Sequence, residues 1–333
     1  MRDHGGNLDE AMARFGAGDW IDLSTGINRR PWPVPALSEG AWRNLPTKAS
    51  QAGLLAQAAA SWGAAAAATG VALGGAQAAI QLAPRLRPSG RAAVLGPTYN
   101  EHAACLTAEG WQVSTVTDLA GMVGADLAII VNPNNPDGRH FTPETLLALV
   151  GRVGLLVVDE SFGDVTPDLS LLPHAGRPGL LVLRSFGKFY GLAGVRLGFA
   201  FGTEADIAAL SRMSGPWPVS GPAIEIGTLA LADTAWAKAM RTQLAADAAR
   251  VDALALRAGW RLVGGSDLFR LYDTGNAVAA QEALALHKIW SRIFPWSDKL
   301  LRLGLPGTEQ EAERLEAALK PKLYRATAST PGT

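Results

Sequence analysis

Cysteine is almost absent from this chain of 333 residues: Cys105 stands alone, so neither an intramolecular disulfide nor a cysteine-based zinc cluster can form. Five His and the carboxylates remain as candidate ligands, and no metal is expected. One thiol without a disulfide framework fits a reducing compartment, so the expected setting is cytoplasmic. Net charge is missing too, since 30 Lys and Arg balance 30 Asp and Glu. That balance removes the basic footprint of a non-specific nucleic-acid binder and gives an anionic membrane surface nothing to attract. No stretch reaches the roughly 18 apolar residues of a membrane helix, because Arg, Asp, Gly or Pro interrupts each one. The opening segment, residues 1–16, lacks the apolar core of a signal peptide, and no export signal is expected. Small molecules become the favoured partners.

What is present is apolar material: 48% of residues are hydrophobic and only 18% charged, enough for a sizeable core and against disorder. At about 150 residues per domain, the length suggests two domains, or one large α/β unit with an appendage. Strand-like runs recur at Val71–Leu73, Ala92–Leu95, Gln112–Val116, Leu127–Val131, Leu155–Val158, Leu180–Leu183 and Leu197–Phe201, between Ala-rich helical stretches. Several are continuously apolar, as strands are when helices cover both faces of a sheet. The fold class is therefore α/β with a mostly parallel central sheet. The Ala-rich Ala56–Ala68 reads as helix. Residues 205–258 read as a short helix, a loop and long helices. Beyond them, Trp260–Val263, Phe269–Tyr272, Ile289–Ile293 and Leu300–Leu303 resemble shorter strands, with a helix near Ala277–His287, as in a smaller α+β domain. The tail Ala326–Thr333 is expected to fray.

The stretch Ser185–Phe199 carries the chemistry. It follows the buried run Leu180–Leu183 and sets Ser185, Lys188 and Arg196 within a glycine-studded loop. A hydroxyl, an ammonium and a guanidinium together suit a phosphate ester plus a carbonyl, and the glycines let backbone approach a ligand. Singly, Lys188 reads as a solvated charge, Asp159 as a helix cap, Asn135 as a turn residue and Tyr99 as core.

Taken together, these residues resemble the lysine region of pyridoxal-phosphate enzymes of the aspartate-aminotransferase fold, called fold type I. The resemblance implies that Lys188 forms the internal aldimine while Ser185 and Arg196 hold the cofactor phosphate. It extends to Leu73–Gln77, where Gly75, Ala76 and Gln77 would receive the phosphate at a helix start. It also covers Asn132–Gly138, where Asn135 would contact the phenolic oxygen, and Val157–Glu160, where Asp159 would pair with the pyridinium nitrogen. Tyr99 falls where a ring stacks on the cofactor. Each lies at the C-terminal end of a predicted strand, the edge where open α/β sheets bind ligands.

The ends of the chain resemble the threonine-phosphate decarboxylase family of cobalamin biosynthesis, relatives of histidinol-phosphate aminotransferase. The features are His4-Gly5-Gly6-Asn7, the segment Asp22–Asn28 and the run Leu301–Gly307. That likeness implies a phosphorylated amino acid as substrate, held by His4, Gly5, Gly26, Asn135, Arg292 and Arg302, with Arg302 on the carboxylate. Two guanidiniums suit a substrate with two anionic ends. The family also implies a homodimer. It places the large domain at residues 40–215, with the arm 1–39 and residues 216–333 forming the smaller domain. Two departures stand out: Phe162 replaces the Tyr that many relatives aim at the phenolic oxygen, and Leu45 replaces a Tyr that reaches the neighbouring subunit's phosphate. The expected reaction is decarboxylation of O-phospho-L-threonine. A histidinol-phosphate-type aminotransferase is the alternative, and a cofactor-binding protein without turnover a remote one.

Overall fold

The computed structural model describes residues 4–320; the predicted fraying of Ala326–Thr333 lies outside them. In chain order the strands are β1 (Ile21–Asp22), β2 (Thr69–Leu73), β3 (Arg91–Leu95), β4 (Gln112–Val116), β5 (Leu127–Val131), β6 (Leu155–Asp159), β7 (Leu180–Ser185) and β8 (Gly198–Gly202). They continue with β9 (Arg261–Ser266), β10 (Phe269–Asp273), β11 (Ile289–Trp290), β12 (Arg292–Phe294) and β13 (Ser297–Gly304). Strands β2 to β8 form one seven-stranded sheet in the order β2-β8-β7-β6-β5-β3-β4. Only β8 runs against its neighbours, β2 and β7. The sheet is mostly parallel, as the sequence predicts.

The apolar runs have a direct physical cause. Along β5, Leu127 and Ile129 belong to one core cluster while Ala128 and Ile130 belong to another, so successive side chains enter two cores on opposite faces. A strand covered on both faces cannot alternate with polar residues. Edge strand β4 is covered less and carries Gln112, Ser114 and Thr115 exposed. Beside the site, β6 and β7 are joined by Arg184, whose guanidinium lies fully buried 3.1 Å from Glu160 Oε2 and 2.8 Å from Asp164 Oδ1.

A second sheet, β12-β13-β10-β9, is antiparallel. The chain ends meet where β1 pairs in parallel with β11. The predicted single strand Ile289–Ile293 is divided here. Residues 289–290 pair with β1 and residues 292–294 with β13, and between them the Ser291 carbonyl accepts from the side chain of buried Gln281 at 2.8 Å. The Ala-rich stretch also departs from expectation. Its helix, Lys48–Trp62, stops at Gly63, which takes the left-handed conformation (φ 64°, ψ 36°), and Ala64–Ala68 leave the helix. Gly63 closes the end by donating to the carbonyls of Ala59 and Ala60, while Ala65 N–H donates to Leu172 O at 3.0 Å. Alanine's propensity yields there to a left-handed glycine and a tertiary partner.

Candidate active site

The C-terminal ends of β2, β3, β5, β6 and β7 share one edge of the large sheet, and a cleft of about 200 Å³ opens there. Residues Gly75, Ala76, Gln77, Tyr99, Asn135, Asp159, Ser185, Lys188, Arg196, Arg292, Arg302, His4 and Gly5 all line it, although the chain brings them from positions 4 to 302. Gly26 does not. It packs behind the wall, where a Cβ would sit 2.8 Å from Phe162 Cε1 and 2.9 Å from Phe269 Cδ1, and Thr25 faces the cleft instead. The glycine there answers a close approach of two rings.

At the end of β6, Asp159 is buried yet bonded at both oxygens. His102 Nε2 donates to Oδ2 at 2.9 Å, while the Ser161 N–H and hydroxyl donate to Oδ1 at 2.9 and 2.5 Å. Burial works against its charge, but the His102 and Ser161 contacts hold the carboxyl below the usual aspartate range. His102 and Ser161 are functional neighbours that the sequence did not single out. Nothing in sequence ties His102 to a carboxylate 57 positions away.

On the opposite wall, Ser185 ends β7 and Arg196 holds a left-handed conformation at φ 55°. The Arg196 guanidinium lies against Gly75, where a Cβ would come 2.8 Å from Nη2. Ala76 and Gln77 open a helix, so their N–H groups have no intrahelical acceptor. Tyr99 donates its hydroxyl to Gln77 Oε1 at 3.1 Å. Its phenol is pushed up to about 12 by burial and by the nearby Glu101 and Asp159 carboxylates.

Lys188 follows β7 with Nζ 5.7 Å from the centre of the Phe162 ring. Its ammonium is pushed down to about 8 by burial and by the cations of Arg302, Arg196 and Arg292, with Asp159 pulling the other way. A depressed lysine is an available nucleophile near neutral pH. Because the neutral amine attacks, the rate at which apoprotein takes up pyridoxal phosphate should rise about tenfold per pH unit up to about 8 and level off above. Stopped-flow absorbance of reconstitution checks this; a rate still climbing at pH 10 would contradict it.

Arg302, from β13, is buried. Its guanidinium donates to Asn135 Oδ1 and, at 2.5 Å, to the Ser24 carbonyl, and it lies 5.3 Å from the Phe269 ring centre. Arg292, from β12, lies 5.2 Å from the ring of Phe294. His4 completes the mouth, with Nε2 3.0 Å from Glu101 Oε1 and its ring 5.8 Å from that of Tyr99.

The donor set fits pyridoxal phosphate on the chemistry of the residues present. There is a glycine-floored anion cradle with a hydroxyl, a guanidinium and open amides, an ionised carboxylate for a pyridinium, an amide for a phenolate, an aromatic face, and a lysine available to a carbonyl. Fold and site together define a pyridoxal-phosphate-dependent enzyme of fold type I.

Comparison with known proteins agrees. The profile of the aminotransferase class I and II family matches residues 19–319, and the chain belongs to that family. It is 44% identical to a threonine-phosphate decarboxylase of Pseudomonas aeruginosa, over 96% of this chain and 97% of the relative. It is 43% identical to a threonine-phosphate decarboxylase of a Sinorhizobium species, over 95% and 97%. Among solved structures, histidinol-phosphate aminotransferase of Sinorhizobium meliloti, in complex with pyridoxal-5'-phosphate, superposes with a TM-score of 0.82. That pair shares 20% identity, over 93% of this chain and 92% of the other.

Proposed function

We propose that this enzyme decarboxylates O-phospho-L-threonine to (R)-1-amino-2-propanol O-2-phosphate and CO2, in cobalamin biosynthesis. The observation that carries the reading is the likeness, at 43–44% identity over nearly the whole chain, to threonine-phosphate decarboxylases. The cleft suits such a substrate, because Arg302, Arg292 and His4 converge on it and offer cationic or donor groups to two anionic ends.

Pyridoxal phosphate, when bound, supplies an electron sink for the pair left at the substrate Cα. Ser185, Arg196 and the amides of Ala76 and Gln77 would hold its phosphate, with Gly75 admitting the close approach. Asp159 would face the pyridine nitrogen, Asn135 the phenolic oxygen, Tyr99 the ring, and Lys188 the carbonyl carbon. Arg302, already oriented by Asn135 and Ser24, binds the substrate carboxylate, and Arg292 with the His4-Gly5 arm takes the substrate phosphate. By fixing the substrate carboxylate, Arg302 would select the Cα–carboxylate bond as the one that breaks. Lys188 Nζ is then the group placed to return a proton to Cα. Phe162, close-packed against Phe269 at 4.9 Å between ring centres, keeps water from that wall.

Incubation of holoprotein with O-phospho-L-threonine, without any 2-oxo acid, should release CO2. Absence of CO2 together with amino transfer from histidinol phosphate to 2-oxoglutarate would replace this reading by the aminotransferase. Arg302→Ala should raise KM for O-phospho-L-threonine about 10- to 100-fold while leaving the visible cofactor band in place. Loss of that band would place Arg302 with the cofactor instead.

A homodimer is supported by an apolar surface next to the cofactor loop. Trp42 (69% exposed) and Leu45 (65%) border a groove with Gly194, Val195 and Pro222. Trp42→Asp should shift the mass seen by light scattering from dimer to monomer; an unchanged mass would move the interface elsewhere. The β1–β11 pairing supports a smaller domain built from residues 1–39 and 216–333. Among the described residues no helix is long and apolar enough to cross a membrane, and the lone Cys105 supports a cytoplasmic location.

A further inference from the structure

Glu101 is a buried carboxylate, 6% exposed, beside a cleft that gathers Lys188, Arg196, Arg292 and Arg302. Its charge opposes the anions those cations attract, so its place there calls for a separate reason. The reason lies in the N-terminal arm. Glu101 Oε1 is 3.0 Å from His4 Nε2, a contact between residues 97 positions apart. Its Oε2 accepts from Gln77 Nε2 at 3.4 Å, and Gln77 accepts in turn from the Tyr99 hydroxyl. The arm is thereby tied to the wall that carries both the phosphate cradle and the stacking ring.

Ser24, 1% exposed, is the arm's second anchor. Its hydroxyl oxygen accepts from the Gly6 N–H at 2.7 Å and donates to Asp22 Oδ1 at 2.6 Å. Gly5 passes so close that a Cβ there would lie 2.3 Å from the Ser24 carbonyl oxygen. That same carbonyl accepts from Arg302 Nη2 at 2.5 Å. One buried residue therefore touches the arm on one side and the guanidinium assigned to the substrate carboxylate on the other.

We propose that Glu101 and Ser24 are positioning residues that clamp the N-terminal arm at the cleft mouth, and that Ser24 couples the docking of the arm to the orientation of Arg302. Glu101 acts through His4, and Ser24 through Gly6 and Arg302. A docked arm then presents the phosphate-binding end of the site and the carboxylate-binding end in register. Substrates lacking one anionic end lose the benefit of that register. The inference rests on the proposed assignment of His4 and Arg302 to the substrate.

The test compares full-length holoprotein with Glu101→Gln, His4→Ala, the double variant and Ser24→Ala, which removes the hydroxyl while keeping the carbonyl. Glu101→Gln should raise KM for O-phospho-L-threonine about tenfold. Its kcat should stay within about twofold of wild type and the cofactor band unchanged, which separates positioning from chemistry. The double variant should be no worse than His4→Ala alone, because residues acting as a unit are not additive. Hydrogen exchange over residues 4–8 should accelerate in Glu101→Gln and in Ser24→Ala. Additive KM effects, or exchange in the arm unchanged by both variants, would overturn the proposal. The exchange measurement needs no turnover. If wild type releases no CO2 from O-phospho-L-threonine, the functional reading fails while the docking of the arm is still decided.

Discussion

Lys188→Ala should bring CO2 release from O-phospho-L-threonine down by about 10⁴-fold or more, because in the proposed reaction one side chain would supply both the covalent attachment and the proton returned to Cα. Two measurements separate those roles. The visible absorption of lysine-bound cofactor should vanish, while added pyridoxal phosphate should still bind non-covalently through Ser185, Arg196 and the amides at Ala76 and Gln77. An unchanged spectrum would remove Lys188 from the cofactor entirely. The substitution should leave folding intact, since the lysine is penalised by burial and by three nearby guanidiniums in the unliganded chain. Removing that ammonium takes repulsion out of the cleft, and the urea midpoint of apoprotein should not fall.

The second large effect is expected at Asp159. Asp159→Asn keeps the shape but leaves a single acceptor oxygen for the donors from His102 and Ser161, and it deletes the negative charge that would keep a pyridine nitrogen protonated. Loss of one preorganised electrostatic partner costs about 10²- to 10³-fold in kcat, and cofactor affinity should drop with it. The downward shift of the Asp159 carboxyl carries a sign. A carboxyl held below its usual range stays ionised as pH falls through the range where ordinary carboxylates protonate. Activity lost on mild acidification should therefore be traceable to other groups, and the cofactor should remain bound there. Release of cofactor in step with ordinary carboxylate titration would contradict the buried, bonded carboxylate seen here.

Much of the architecture was legible because the sheet is buried on both faces. The runs at Leu127–Val131 and Leu155–Val158 have no polar residue to spare, and both core clusters draw on them. Errors arose where local preference met a tertiary partner. Alanines 64–68 left the helix because Gly63 turns left-handed and Leu172 takes the Ala65 N–H. Residues 289–293 divided because two different sheets claim their halves.

The candidate site divides in the same way. Lys188, Asp159, Asn135 and Gly75 are legible because each lies at or just past the C-terminal end of a strand and those ends share an edge. Glu101, His102, Ser161 and Ser24 are not, because each matters through a partner far away in sequence, or through a neighbour's hydroxyl, that no spacing rule marks. The amino-acid sequence by itself determined the sheet, the cofactor-binding edge and the kinds of group gathered there, since periodicity, strand ends and glycine placement are local properties of a chain. Only the tertiary structure decided which carboxylate is held by His102, which carbonyl orients Arg302, and that the arm at His4 is fastened to Glu101. Those are contacts between elements brought together by burial of the core, and their geometry exists only once the core has formed.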